Sequence, residues 1–357
     1  MRAPAIAASA SGASGRGLEP RAHWLLALIL VTTAIRLALA ATIGLSVDES
    51  YAVVMGRRLS LSYFDHPPMV FWWTGLASRI AASESPLVVR LPFIAAFMVT
   101  TWLLYRLGGF LFGTRAGLWT AFLLNVSLFL SVAAGGWALP DGPLVLFSAA
   151  AAYCLARATI GDRPTPSREP SGSLAVGSRG WWIGFGVSAG LALLSKYHGL
   201  LLLAGTGFYL VTARRRATWL RRRDPYIALA LAAMTFLPVL VWNATHEWAS
   251  FRFQGGRAVP LEETGGTTLL DSVAGQAAWT LPWVWVPLLV VLVAALRAGP
   301  PDDRRWLLGC LASGPILAFT LLAAVGARGL PHWEAPGYFM ALPLLGAWVA
   351  HEGLARL

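Results

Sequence analysis

The chain has a single lysine, Lys196, and only two cysteines, Cys154 and Cys310. Both cysteines lie in apolar stretches. That excludes a disulfide framework or a thiolate cluster and leaves them as small buried residues. Charge is also scarce: 13% of residues are Asp, Glu, Lys or Arg, well short of an ordinary soluble domain. What charge there is runs basic, with 28 Lys+Arg against 17 Asp+Glu and a net charge of +11. The arginines cluster between apolar segments, as membrane topology requires, which argues against nucleic acid as a partner. No repeat period and no separate soluble domain can be read.

Hydrophobicity is what the chain has in quantity. Of its 357 residues 57% are hydrophobic, and the mean hydropathy is +0.61. An integral, all-α polytopic membrane protein follows. Ten spans are expected at 22–45, 87–106, 116–137, 142–158, 181–196, 198–212, 226–242, 279–296, 306–325 and 335–350. Residues 1–21 read as a disordered cytoplasmic tail and 22–357 as the transmembrane domain. The first span is too long for a signal-peptide core, despite Ala38-Leu39-Ala40 resembling a cleavage site. Residues 181–212 are ambiguous between one helix and a short hairpin. The positive-inside rule favours the hairpin, because a single span would put Arg214-Arg215-Arg216 and Arg221-Arg222-Arg223 outside. Both termini are then cytoplasmic, and 159–180, rich in Pro, Ser, Gly and Arg, is a flexible cytoplasmic linker. Gly186 and Gly190 form a GxxxG on the fifth span, a sign of close helix packing.

Polar chemistry gathers on the outer side. The first outer loop, 46–86, opens with Asp48-Glu49 and carries Tyr51 and then Phe64-Asp65-His66-Pro67-Pro68. Acidic residues at the mouth of a membrane helix serve chemistry or ion handling more often than packing. The stretch from Tyr51 to Leu59 fits an interfacial helix, and Pro67-Pro68 can open another. On a helix Asp48 and Glu49 point roughly 100° apart, so one faces a cavity while the other supports the backbone or a neighbour. Asp48 is taken as the catalytic one. Asp141 has two readings, a helix cap or a site group. Lys196-Tyr197-His198 caps the hairpin, and His246, Arg252 and Arg257 belong to the outer loop 243–278. For His332 the interfacial reading is preferred. Arg36, inside the first span, reads as snorkelling or as pairing within the bundle; a structural partner is expected, with Asp48 and Glu49 as candidates. Asn243-Ala-Thr245 matches a glycosylation sequon, a frequent coincidence.

In this order Asp48-Glu49-Ser50-Tyr51, Tyr63-Phe64-Asp65-His66-Pro67-Pro68, Pro140-Asp141-Gly142-Pro143, Leu193-Leu194-Ser195-Lys196-Tyr197 and Trp242-Asn243…Trp248-Ala249-Ser250-Phe251 resemble the GT-C membrane glycosyltransferases. The likeness is to glycosyltransferase family 39 and the related aminoarabinose and galacturonate transferases. The resemblance implies a GT-C-like bundle of about ten transmembrane helices, with interfacial helices in the first outer loop. It implies an inverting transfer of a hexosyl or pentosyl group from a polyprenyl-phosphate donor to a lipid, glycan or protein acceptor. The site would face the periplasm from a bacterial inner membrane, among membrane lipids. By the same resemblance Asp48 is the catalytic base and Asp65 a second functional acid, although relatives have Lys where this chain has His66. Glu49, Tyr51, His66, Asp141, Lys196, Tyr197, His246, Arg252 and Arg257 are candidate substrate-binding residues. A divalent ion on Asp65, His66 and His246 is left open. The glycine-rich run from Gln254 to Gly266 reads as a lid or a plain loop. Rival readings are a flippase or transporter for a lipid-linked sugar and a non-catalytic scaffold. Polar groups at one face, without internal symmetry, favour the enzyme.

Overall fold

The computed structural model describes residues 20–160, 174–257, 269–327, 329–330 and 332–351. The expected N-terminal tail lies almost wholly outside these residues, as do Gly265-Gly266 and most of the linker. Among the described residues the architecture is all helical, with no sheet. Helix α1 spans Pro20–Thr42, α2 Val47–Gly56, α3 Met69–Ala81, α4 Pro86–Phe112 and α5 Thr114–Val126. A π-helical turn follows at Leu130–Ala134. Then come α6 Asp141–Thr159, α7 Leu174–Ser195, α8 Gly199–Thr212, α9 Arg216–Arg221 and α10 Asp224–Thr245. The chain ends with α11 Ala249–Gly256, α12 Leu269–Thr280, α13 Pro282–Ala298, α14 Asp303–Ala324 and α15 Ala335–His351.

Adjacent helices follow one another across the bundle. α10 packs on α7, α7 on α6, α6 on α4, α4 on α5, α5 on α15 and α15 on α14, while α8 lies against α14. α1 leans on α4 and α5 with much of its surface outward. Such helices are apolar all round because hydrocarbon, not water, surrounds them, so contact is set by residue size. Gly186 and Gly190 meet the backbone of α10 at Ala228 and Ala232, where a Cβ would collide. The same close approach seats α2 on α3 through Gly56 and Gly75. At the arginine-rich end, Arg304 donates to the Leu111 carbonyl (2.6 Å) and Trp306 to the Thr212 hydroxyl (2.9 Å).

Several expected boundaries change. Among the described residues five helices have the length and apolarity to cross a membrane alone: α1, α4, α6, α10 and α14. α12 and α13 add a sixth only if one span is bent by 108°. The expected third span breaks after Val126 and resumes as the π-helical turn. The hairpin over 181–212 is present, but α8 has 14 residues, about 21 Å at ~1.5 Å per residue, short of a ~30 Å hydrocarbon core. α7 begins at Leu174, inside the stretch read as linker.

Arg36 does not pair with Asp48 or Glu49. It donates to Asn125 Oδ1 (3.1 Å) and Ser131 Oγ (2.7 Å), with its guanidinium carbon 4.4 Å from the centre of the Phe97 ring. Glu49 has taken another partner. Arg90 holds it with two bonds of 2.7 Å, both side chains being almost fully buried. Arg90 also donates to the Ile43 and Gly44 carbonyls, and Ala138 N–H donates to Glu49. One ion pair thus joins the end of α1, the start of α2, α4 and the approach to α6. Removing one partner of such a pair strands the other charge. Glu49→Gln is expected to lose about 3–5 kcal/mol, the range for breaking a buried pair. Thermal unfolding in detergent checks this; an unchanged midpoint would show that the pair does not hold the fold.

Candidate active site

A cavity of about 820 Å³ opens where polar residues from six stretches of chain converge. α2 supplies Asp48 and Tyr51, the approach to α3 supplies Asp65 and His66, and α6 begins with Asp141. The α7–α8 turn contributes Lys196, Tyr197 and His198. Gln254 and Arg257 come from α11 and its end, and His332 and Trp333 from the approach to α15. Phe71, Phe129, Trp279 and Phe319 make much of the remaining wall apolar.

Local structure aims Asp48. Ser46 caps α2: its hydroxyl accepts from Glu49 N–H (3.3 Å), while Glu49 Oε2 accepts from Ser46 N–H (2.9 Å). Burial pushes the Glu49 carboxyl pKa up, but the bonds from Arg90, Ser46 and Ala138 outweigh it and hold the group below the usual range. With Glu49 turned inward, the residue before it on the helix, roughly 100° around, faces the cavity. Asp48 is exposed there, and its side chain accepts no hydrogen bond among the described residues.

Other groups are tied down. Lys196 Nζ lies 2.9 and 3.1 Å from the two oxygens of Asp141, and both residues are buried. Asp65 accepts from the Tyr51 hydroxyl (2.9 Å), and its carbonyl accepts from Gln254. Burial, and then the neighbouring Asp65, push the Tyr51 hydroxyl above the usual phenol range, so it stays a donor. Tyr197 shares a 2.6 Å hydrogen bond with Ser250, which fixes α11 against the hairpin turn. Arg257 places its guanidinium carbon 5.0 Å from the centre of the Trp333 ring.

Three imidazoles share the cavity, and burial lowers the pKa of each. Burial dominates at His66; at His198, well below its ordinary value, Lys196 adds to it. His332 falls to about 4, from burial first and then Lys196. His198 stacks on Phe319 and leaves Nε2 buried without a protein partner among the described residues. The imidazoles are therefore neutral at pH 7 and offer hydrogen bonds without adding charge.

Three predicted residues do not reach the cavity. Glu49 is consumed by Arg90. His246 stacks on Trp242 at 4.1 Å and bonds to its carbonyl, because the i, i+4 geometry at the end of α10 brings the two rings together. Arg252 points outward and pairs with Glu247 (3.2 Å). The trio Asp65, His66 and His246 is consequently dispersed, and no group of three potential metal ligands occurs among the described residues. Asn243 is fully buried, donating to the Val239 carbonyl and accepting from Phe251 N–H, which rules out the sequon reading. His198, Gln254, His332 and Trp333 line the cavity without having been chosen from sequence. His198 adjoins Lys196 in the hairpin turn, which was a usable signal; His332 had none but its place before the last helix.

A profile described as dolichyl-phosphate-mannose-protein mannosyltransferase matches residues 65–167 and 171–242. The lipid A galacturonosyltransferase RgtD of Rhizobium johnstonii is 26% identical over 310 residues, covering 85% of this chain and 60% of the relative. The chain thus spans about 60% of the length of the curated relative it matches. ArnT from Cupriavidus metallidurans bound to undecaprenyl phosphate superposes with a TM-score of 0.71 at 19% identity, over 94% of this chain and 60% of that one. The Archaeoglobus fulgidus oligosaccharyltransferase AglB, in complex with an inhibitory peptide and a dolichol-phosphate, gives 0.54 at 13% identity, over 92% and 50%. These likenesses concern the fold.

A histidine with a depressed folded-state pKa stabilises the fold above its unfolded value of about 6.5 and loses that contribution as pH falls through the folded value. For His332 the window runs from about 6.5 down to about 4. Thermal midpoints measured across this range should fall with pH, and His332→Gln should flatten part of the slope. An identical slope in the variant would contradict the buried neutral imidazole.

Proposed function

We propose that this chain, a member of the GT-C family of membrane glycosyltransferases, moves a sugar from a polyprenyl-phosphate donor to a hydroxyl acceptor with Asp48 as general base. The observation that carries the reading is the contrast inside one cavity. Asp48 is open and unbonded, while Asp141, Asp65 and Glu49 are each engaged. A base must reach its proton before any pKa matters, and Asp48 is the carboxylate free to do so.

In the proposed step an acceptor hydroxyl oxygen attacks the anomeric carbon as Asp48 takes its proton. The bond from that carbon to the phosphate oxygen breaks, its electron pair leaves with the polyprenyl phosphate, and the configuration at carbon inverts. Charge builds on the leaving phosphate, so cations should face it. Arg257, with no carboxylate partner among the described residues, suits that role. Lys196 keeps donor capacity beyond Asp141 and can add a contact. The neutral imidazoles of His66, His198 and His332 can orient sugar hydroxyls. Tyr51 and Gln254 hold Asp65 in place at the rim. Undecaprenyl phosphate held by ArnT supports the donor class, and the lipid A acceptor named for RgtD supports a lipid acceptor.

The positive-inside rule supports a cytoplasmic location for the arginine-rich end and both termini, and with it a cavity open to the periplasm of a bacterial inner membrane. The boundary position suits a donor whose tail stays in lipid while its head reaches water.

The test is label transfer from a panel of radiolabelled polyprenyl-phosphate sugars to native membrane extract, with protein in nanodiscs. Asp48→Asn is expected to lower the rate by about 10²–10⁴, the usual contribution of a general base. Full activity in the folded variant would remove Asp48 from the mechanism. Arg257→Gln is expected to reduce turnover more than donor binding if its charge meets the leaving phosphate.

A further inference from the structure

A second cavity, of about 360 Å³, lies between α1 and the π-helical turn. Its rim is formed by Ile35 and Leu39 on the outward face of α1 and Ile43 just past its end, each about half exposed. Its polar floor is Arg36, Arg90, Asn125 and Ser131. Trp137 borders both this cavity and the larger one. No carboxylate lines it.

The two arginines differ in how they are neutralised. Arg90 is matched by Glu49. Arg36 has only neutral partners among the described residues: Asn125 Oδ1, the Ser131 hydroxyl and carbonyl, and the Phe97 face. Asn125 is oriented by its own amide bonds to Thr101 and the Ala121 carbonyl, so its oxygen is committed to Arg36. Arg36 Nη1 donates to no protein group among the described residues. A guanidinium does not shed its proton, and a buried cation facing hydrocarbon without a counter-charge is costly. Its place is six residues from the end of α1, about 9 Å along the axis. The π-helical turn that presents Ser131 is a distortion typical of functional sites.

We infer that this lateral cavity binds the phosphate of an anionic bilayer lipid, with Arg36 as its counter-charge and the apolar rim receiving the acyl chains. The size suits a headgroup-scale ligand, and the opening is bordered by the exposed apolar side chains Ile35, Leu39 and Ile43. None of its floor residues belongs to the proposed transfer machinery, so it stands or falls separately from the transferase reading.

The test is native mass spectrometry of the full chain in detergent, offered phosphatidylglycerol or phosphatidylcholine with the same acyl chains. The wild type is expected to retain phosphatidylglycerol preferentially. Arg36→Gln is expected to weaken that retention about tenfold, near the loss of one charge-assisted bond, whereas Arg36→Lys keeps most of it. Lys196→Met reports on the larger cavity and should leave this retention in place. Leu39→Trp narrows the rim without touching the bonds of Arg36, so it tests occupancy even if Arg36→Gln is unstable. Competition by millimolar inorganic phosphate would show that the headgroup alone is read; no competition would show that the chains are needed. Equal retention of both lipids, or unchanged phosphatidylglycerol retention in Arg36→Gln and Leu39→Trp, would overturn the inference.

Discussion

The ion pair between Glu49 and Arg90 is the constraint on which the arrangement depends. Both groups are removed from solvent, and each is saturated by further hydrogen bonds from the chain around it. A pair buried in this way contributes less net stability than its Coulomb energy implies, because desolvation opposes it. What it supplies is position. It ties α1, α2, α4 and the segment before α6 at one point, and that point sets the rotation of α2. Asp48 is delivered to the cavity because its neighbour is held away from it.

The cavity separates charges by how firmly they are held. Lys196 and Asp141 neutralise one another inside the wall, so the interior carries little net charge at that point. The histidines add none. Asp48 and Arg257 remain without an oppositely charged partner among the described residues, and in the proposed reaction they are the base and the cation that meets the leaving phosphate. Aromatic walls exclude water and would strengthen both effects. The second cavity follows the opposite pattern, with a buried cation matched only by neutral groups.

Part of this was legible residue by residue. The two helices of the first outer loop, the break between α7 and α8 and the convergence of Asp48, Asp65, Asp141 and Lys196 all follow from motifs at element ends. Ser46-Val47-Asp48-Glu49 also spells a capping box, which would have marked Glu49 as structural. His246 and Arg252 misled because proximity in sequence to a motif does not set direction: His246, just past α10, stacks on Trp242, and Arg252, on α11, leaves toward Glu247. Hydropathy located apolar helices but not their lengths, since it does not register a π-helical turn or a 108° bend.

By itself the sequence determined an all-helical membrane bundle with its polar chemistry at one end, because apolar run length and arginine placement are local properties. Tertiary structure alone decided what neutralises the inward acid. The capping box is local and marks Glu49, but the cation that meets it is Arg90, 41 residues away. The same holds for His198 and His332, distant in the chain and brought to one wall by packing. Pairing and burial are long-range quantities, and no local pattern encodes them.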